Sequence, residues 1–273
     1  MRALLACALL AGAAASYRAE IEEWQRHREA ALKADGGWLT VTGLFWLHEG
    51  SNTFGSEPSR DIVLPAGPEL AGGGSFDLHG AKVVMHWKGQ TQELRPDTAG
   101  PPDILTMGSL TLFVIQRGDR YGIRLKDTNS SLRKEFGGLR YFPVNEAYRV
   151  TARFVPDPKK VPIPNILGQV EGEFSPGYVE FDLDGRKLRL TPVQESQAEL
   201  SFIFRDLTSG KETYGSGRFL DTALPRDGHV VLDFNKAYNP PCAFTPYATC
   251  PLPPKENRLA VRIEAGELKY GSH

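Results

Sequence analysis

The sequence predicts a mainly β protein: an antiparallel β-barrel or β-sandwich-like single domain with one N-terminal helix. Three observations carry this. Short runs rich in β-branched and aromatic residues recur from residue 38 to residue 263, separated by Gly, Pro, Asn and Asp. Residues 148–155 alternate strictly, placing Tyr148, Val150, Ala152 and Phe154 on one face. Helical spacing is sustained over one segment alone, residues 16–35.

The chain opens with Met1-Arg2, a short positive start, followed by small and apolar residues from Ala3 to Ala15. Ala13-Ala14-Ala15 supplies the small residues a signal peptidase requires, so cleavage is expected before Ser16. The run is too short for a membrane anchor. The expected layout is a signal peptide over 1–15 and one β-rich domain over 16–273, in the periplasm or secreted. Pro-rich residues 156–164 read as a linker or a long surface loop.

The helix over 16–35 is expected to use Ser16 as its N-cap. Tyr17, Ile21, Trp24, Arg28 and Ala31-Leu32 form its stripe, and Gly36-Gly37 ends it through a left-handed cap. Strands are expected over 38–47, 62–64, 82–87, 110–116 and 121–125. The last two flank a tight turn at Arg117-Gly-Asp-Arg120. Strands over 148–155, 178–183 and 186–190 follow, the last pair joined by Asp184-Gly185, a strong hairpin signal. The series closes with 199–204, 212–214, 217–220, 230–234 and 258–263.

The net charge is -1 and 24% of residues are charged. That balance lacks the basic excess a dedicated nucleic-acid binder needs to neutralise phosphates. After the apolar start, no further stretch reads as a transmembrane segment. There is no Gly-x-Ser-x-Gly elbow, no His-Glu-x-x-His and no phosphate loop at Gly72-Gly73-Gly74. No catalytic residue and no cofactor follow from the sequence. Trp38, Trp46 and Trp87 read as core or as pocket lining.

The unusual segment is Asp233-Phe-Asn-Lys-Ala-Tyr-Asn-Pro-Pro-Cys-Ala-Phe244, continuing to Cys250-Pro-Leu-Pro-Pro254 and Asn257-Arg258. Prolines stiffen it, so it loses little backbone entropy when it presents polar groups in fixed positions. Candidate ligand contacts are Asp233, Asn235, Lys236, Tyr238, Asn239, Tyr247, Asn257 and Arg258. Arg218 joins them from Gly215-Ser-Gly217-Arg218, where glycines would let a ligand approach the backbone. Arg218, Lys236 and Arg258 would hold a carboxylate or phosphate. The opposing reading is an ordered connection between strands, with each basic residue in an ordinary ion pair. Cys242 and Cys250 admit a disulfide or buried thiols, a nucleophilic thiol, or a metal ligand pair. The last lacks a second spaced pair, so no metal is expected.

That segment is similar to the signature of the uncharacterised bacterial family DUF1684. Gly43-Leu-Phe-Trp-Leu47, Phe54-Gly-Ser56 with Asp61-Ile62, Phe142-Pro143 and Thr213-Tyr-Gly-Ser-Gly-Arg-Phe-Leu220 resemble it too. The resemblance implies a bacterial, β-rich protein over nearly the whole chain after residue 15, and no activity or catalytic residue. Three functions stay open: binding of a small polar or anionic ligand at 233–258, a hydrolase or thiol-dependent enzyme using that loop, and a structural or interaction module of the cell envelope.

Overall fold

The computed structural model describes residues 2–67, 70, 72–194 and 196–271, with side chains from residue 15 onward. The chain forms two compact units, one of residues 1–32 with 137–273 and one of residues 33–136. The described residues are organised around two main hydrophobic cores, one in each unit.

Helix α1 (Arg2–Lys33) belongs to the first unit. The helix starts before the expected Ser16 cap, which lies within it. Its buried stripe is the expected one except at Ala31, which is exposed: Tyr17, Ile21 and Leu32 are sealed, and Trp24 and Arg28 are half-buried. The helix does not end in a left-handed cap. Gly37 has φ -72, and its N–H closes a turn onto the Ala34 carbonyl.

In the unit of residues 33–136 the strands are β1 (Val41–Trp46), β2 (Gly50–Gly55), β3 (Ile62–Val63), β4 (Gly74–His79), β5 (Lys82–Trp87), β6 (Gln90–Leu94), β7 (Leu105–Met107), β8 (Leu110–Arg117) and β9 (Arg120–Asp127). They form two open sheets, ordered β1-β9-β8-β7 and β3-β2-β4-β5-β6. Phe54, Phe76 and Met85 from one sheet share a core with Leu112, Val114 and Ile123 from the other, a sandwich-like arrangement. The tight turn at Arg117-Gly-Asp-Arg120 joins β8 to β9 as expected. Trp87 packs against the core, whereas Trp38 and Trp46 lie under the guanidinium groups of Arg124 and Arg120. Burial lowers the Arg124 pKa to about 10, with Arg117 adding to the shift.

The other unit holds β10 (Arg149–Pro164), β11 (Val170–Leu183), β12 (Arg186–Leu190), β13 (Glu199–Phe204), β14 (Arg218–Ala223) and β15 (His229–Asp233). One sheet runs β12-β11-β10-β15, and β13 pairs with β14. Asp184 and Gly185, with φ of 51 and 69, turn β11 into β12, the geometry that left-handed residues supply in a two-residue hairpin. No sheet among the described residues closes on itself, so the barrel alternative gives way to open, sandwich-like sheets.

Three expected elements differ. Residues 156–164 are not a linker but the outer half of β10, bulged between Pro156 and Lys159. The prolines are tolerated because beyond Arg153 the strand forms a ladder on one side only, with β11, so a residue lacking an N–H can face away from it. Residues 212–214 form a turn, with the Thr208 and Thr213 hydroxyls bonded at 2.8 Å. Residues 258–263 run alongside Arg205 and Leu207 without forming a regular strand: Leu259 N–H donates to Arg205, and Leu207 N–H donates to Val261. Leu259, Val261 and Ile263 still alternate inward, completing the core with Phe202, Phe204 and Phe234. Among the described residues, no helix is long and apolar enough to cross a membrane.

Candidate functional site

The polar residues of the 233–258 segment are mostly spent on holding it in place. Asp233 accepts from the Tyr17 hydroxyl at 2.8 Å and from the Asn235 backbone N–H at 3.2 Å. Asn235 donates to Tyr17 and to the Asn145 carbonyl, and its amide oxygen accepts from Asn145 N–H. Burial, with the neighbouring Asp233 carboxylate, pushes the Tyr17 phenol well above its usual range. Asn239 is fully buried; its side chain donates to the Leu268 carbonyl, and its N–H donates to Glu267. Asn257 is 1% exposed and ties the Thr191 N–H and carbonyl to the Ile203 carbonyl, all at 2.8–2.9 Å. These four positions are structural fasteners rather than ligand contacts.

Arg218 is likewise sealed, 1% exposed. Its guanidinium donates to Asp206 at 3.1 Å, to Ile263 O at 3.0 Å and to Ala265 O. The preceding Gly217, φ +112, has no room for a ligand. A Cβ there would meet Pro253 at 2.6 Å and the Phe204 carbonyl at 2.7 Å. The glycine therefore serves a close approach within the chain itself. Arg258 and Tyr247 are exposed, and neither lines a cleft described below. Arg218, Lys236 and Arg258 thus do not form the anion clamp the sequence suggested.

Cys242 and Cys250 form a disulfide with Cα atoms 6.2 Å apart. Cys242 is fixed further by its N–H on the Cys250 sulfur and by the Tyr214 hydroxyl on its carbonyl. Both sulfurs are engaged, so the thiol-dependent reading loses its nucleophile. Replacing both cysteines with serine is expected to lower stability by roughly 2–3 kcal/mol, the loop-closure entropy of so short a loop. The midpoint of urea unfolding reads this.

What remains accessible gathers around Tyr238. Its backbone pairs with Phe219 of β14 in both directions at 2.9 Å, bringing its phenol to Asp221 two residues along that strand. The Tyr238 hydroxyl donates to Asp221 at 2.6 Å, and Ser201 on β13 donates to the other carboxylate oxygen at 2.7 Å. Burial, then the Asp221 charge, raises the Tyr238 pKa far above that of a free phenol, so it stays protonated.

Above the Tyr238 ring, at 4.6 Å, sits the guanidinium of Arg28 from α1. Arg28 donates to Glu267 and to the Asn239 carbonyl, each at 2.9 Å. Glu267 is wholly buried, and burial raises its pKa against the pull of Arg28. Gly266 places it there: φ is +79, and a Cβ would lie 2.4 Å from the Ala237 carbonyl.

Two clefts flank the Tyr238–Asp221 bond. One, of 340 Å³, is lined by Trp24, His27, Arg28, Asp221, Lys236 and Tyr238. The other, of 310 Å³, is lined by Ser196, Glu199, Ser201, Ile203, Phe219, Asp221, Tyr238 and Pro251. Lys236 and Tyr238 are the only sequence candidates on these walls. The sequence reading missed Asp221, Ser201, Glu199 and His27. The signal for the helix side was present: Glu20, Trp24, His27 and Arg28 follow three- and four-residue spacing, which puts them on one face. The β13–β14 pairing that opposes Ser201 to Asp221 left no such trace. A broader depression of 640 Å³ lies over β10, β11, β12 and β15. It is walled by charges opposed across strands, such as Arg153 with Glu180, and contains no sequence candidate.

Residues 134–268 match the sequence profile of DUF1684, a protein family of unknown function. The chain belongs to this family. The DUF1684 match takes in the 233–258 segment and the motif at 213–220, but leaves outside the resemblances noted at Gly43-Leu-Phe-Trp-Leu47 and Phe54-Gly-Ser56. It also excludes α1, so Trp24, His27 and Arg28 join the cleft from beyond the matched DUF1684 segment. A solution NMR structure of an uncharacterized protein from locus rrnAC0354 of Haloarcula marismortui is 32% identical. The match covers 52% of this chain and 81% of that one, with a TM-score of 0.43. No curated protein matches the chain.

Proposed function

We propose that this chain binds a small polar ligand in the paired clefts on either side of the Tyr238–Asp221 hydrogen bond. The observation that carries this reading is the convergence there of accessible polar and aromatic side chains from α1, β13, β14 and the 233–258 segment. Each cleft lies near the lower end of the range of about 300–1,000 Å³ typical of ligand pockets. The rigid surroundings favour binding, since the disulfide, the prolines and the Asn fasteners leave little order to be gained by the site.

An NMR screen of small polar molecules against the labelled chain tests the reading. Shift changes are expected to concentrate at Trp24, Ser201, Asp221 and Tyr238, and to vanish in Asp221→Ala. Changes spread elsewhere, or none across the screen, overturn it.

The chain is also proposed to be exported. The apolar run ending at Ala15 supports this, and the Cys242–Cys250 disulfide is of a kind that persists in oxidising compartments. Sequencing the N-terminus of the protein recovered from a bacterial host is expected to find Ser16 first. A chain still beginning at Met1 in the cytoplasmic fraction overturns export.

A further inference from the structure

We infer that the paired clefts select an uncharged, hydroxyl-rich ligand, a carbohydrate of one or two rings; this deepens the proposed small-molecule reading and rests on it. The first argument is charge. The bases on the helix-side wall are already matched: Lys236 to Glu20 at 2.6 Å, Arg28 to Glu267 at 2.9 Å and His27 to Glu23 at 2.9 Å. Asp221 is held by two hydroxyl donors. The wall therefore has no spare positive charge to offer a carboxylate or phosphate. An anion entering it would leave charge uncompensated, and a neutral ligand would not.

The second argument is the mixture of hydrogen-bonding groups. Lys236, His27 and the Trp24 indole are donors, Glu199 and Asp221 are acceptors, and Ser201 is both. Glu199 has no ion-pair partner among the described residues. It shares a face of the β13–β14 pair with Ser201 and Asp221, two residues from Ser201 along the strand. A ligand whose every polar group both donates and accepts suits such a wall; sugar hydroxyls do so.

The third argument is aromatic. Trp24, Tyr238 and Phe219 line the clefts, with Phe219 set edge-on to Tyr238 at 5.8 Å. The C–H faces of a pyranose ring are apolar and cover such rings, while its edge hydroxyls reach the polar groups around them.

The test is an NMR titration of the full chain with a panel of neutral mono- and disaccharides including glucose, maltose, cellobiose and lactose. Digalacturonate, inorganic phosphate and the zwitterion glycylglycine are titrated in parallel. At least one neutral sugar is expected to shift Trp24, Ser201 and Asp221 together, and to bind more tightly than any charged probe. Trp24→Ala is expected to weaken it about tenfold. Mapping on the unaltered chain keeps the test valid should that variant misfold. Charged probes shifting these residues while every neutral sugar fails would overturn the carbohydrate inference and leave the small-ligand reading standing. If no probe and no member of the polar screen shifts them, both fall.

Discussion

Arg218→Ala is expected to lower stability by roughly 3–5 kcal/mol, the range for breaking a buried ion pair by removing one partner. The loss is large because three acceptors are stranded together. Asp206 keeps a buried charge, and the Ile263 and Ala265 carbonyls lose their donor. Asp206 also accepts from the Ile263 N–H and the Thr208 hydroxyl, so its network spans the start of the 206–213 turn and the last extended segment. Urea unfolding followed by Phe and Tyr absorbance measures the change. Arg218→Met, close in volume but uncharged, is expected to recover only part of it, since Asp206 remains unpaired. Were Arg218 a ligand contact, the alanine variant would instead keep its unfolding midpoint and lose binding.

Asn257→Ala is expected to destabilise by about 3 kcal/mol. Two buried carbonyls and one buried N–H lose their partner, each costing about 1–3 kcal/mol when unsatisfied, with partial relaxation and water offsetting some of the sum. Asn257→Asp separates geometry from donor capacity. The carboxylate still accepts from Thr191 N–H but faces the Thr191 and Ile203 carbonyls without a donor. It is expected to be at least as harmful near neutral pH, and to recover as pH falls and the carboxyl takes up a proton. Equal unfolding midpoints for the wild type and both variants would refute the fastening role.

The two substitutions share a lesson about the 233–258 segment. A dense run of Asn, Asp, Tyr and Pro looks the same in sequence whether it faces a ligand or ties strands together. A polar side chain buried against backbone is stable when its hydrogen bonds are met, and those partners come from residues 145, 191, 203 and 267–268, far along the chain. Only Lys236 and Tyr238 line the clefts, because each sits where α1 and β14 approach the segment, whereas Arg258 and Tyr247 are exposed away from them.

The sequence by itself determined the β-rich class, the Asp184-Gly185 and Arg117-Gly-Asp-Arg120 turns, and the buried stripe of the helix through Tyr17, Ile21 and Leu32. Each is written in local chemistry: the φ a residue tolerates, alternation at a period of two, or apolar spacing of three and four. It also made closure of a loop between the two cysteines feasible, while the fold brought their Cα atoms to 6.2 Å. Tertiary structure decided the rest. It set the two cores, carried β10 through its prolines, sealed Arg218 against Asp206, and set Asp221 between Ser201 and Tyr238. Those outcomes depend on which strands pair and which faces meet, and such pairings join residues whose neighbours in sequence record nothing of each other.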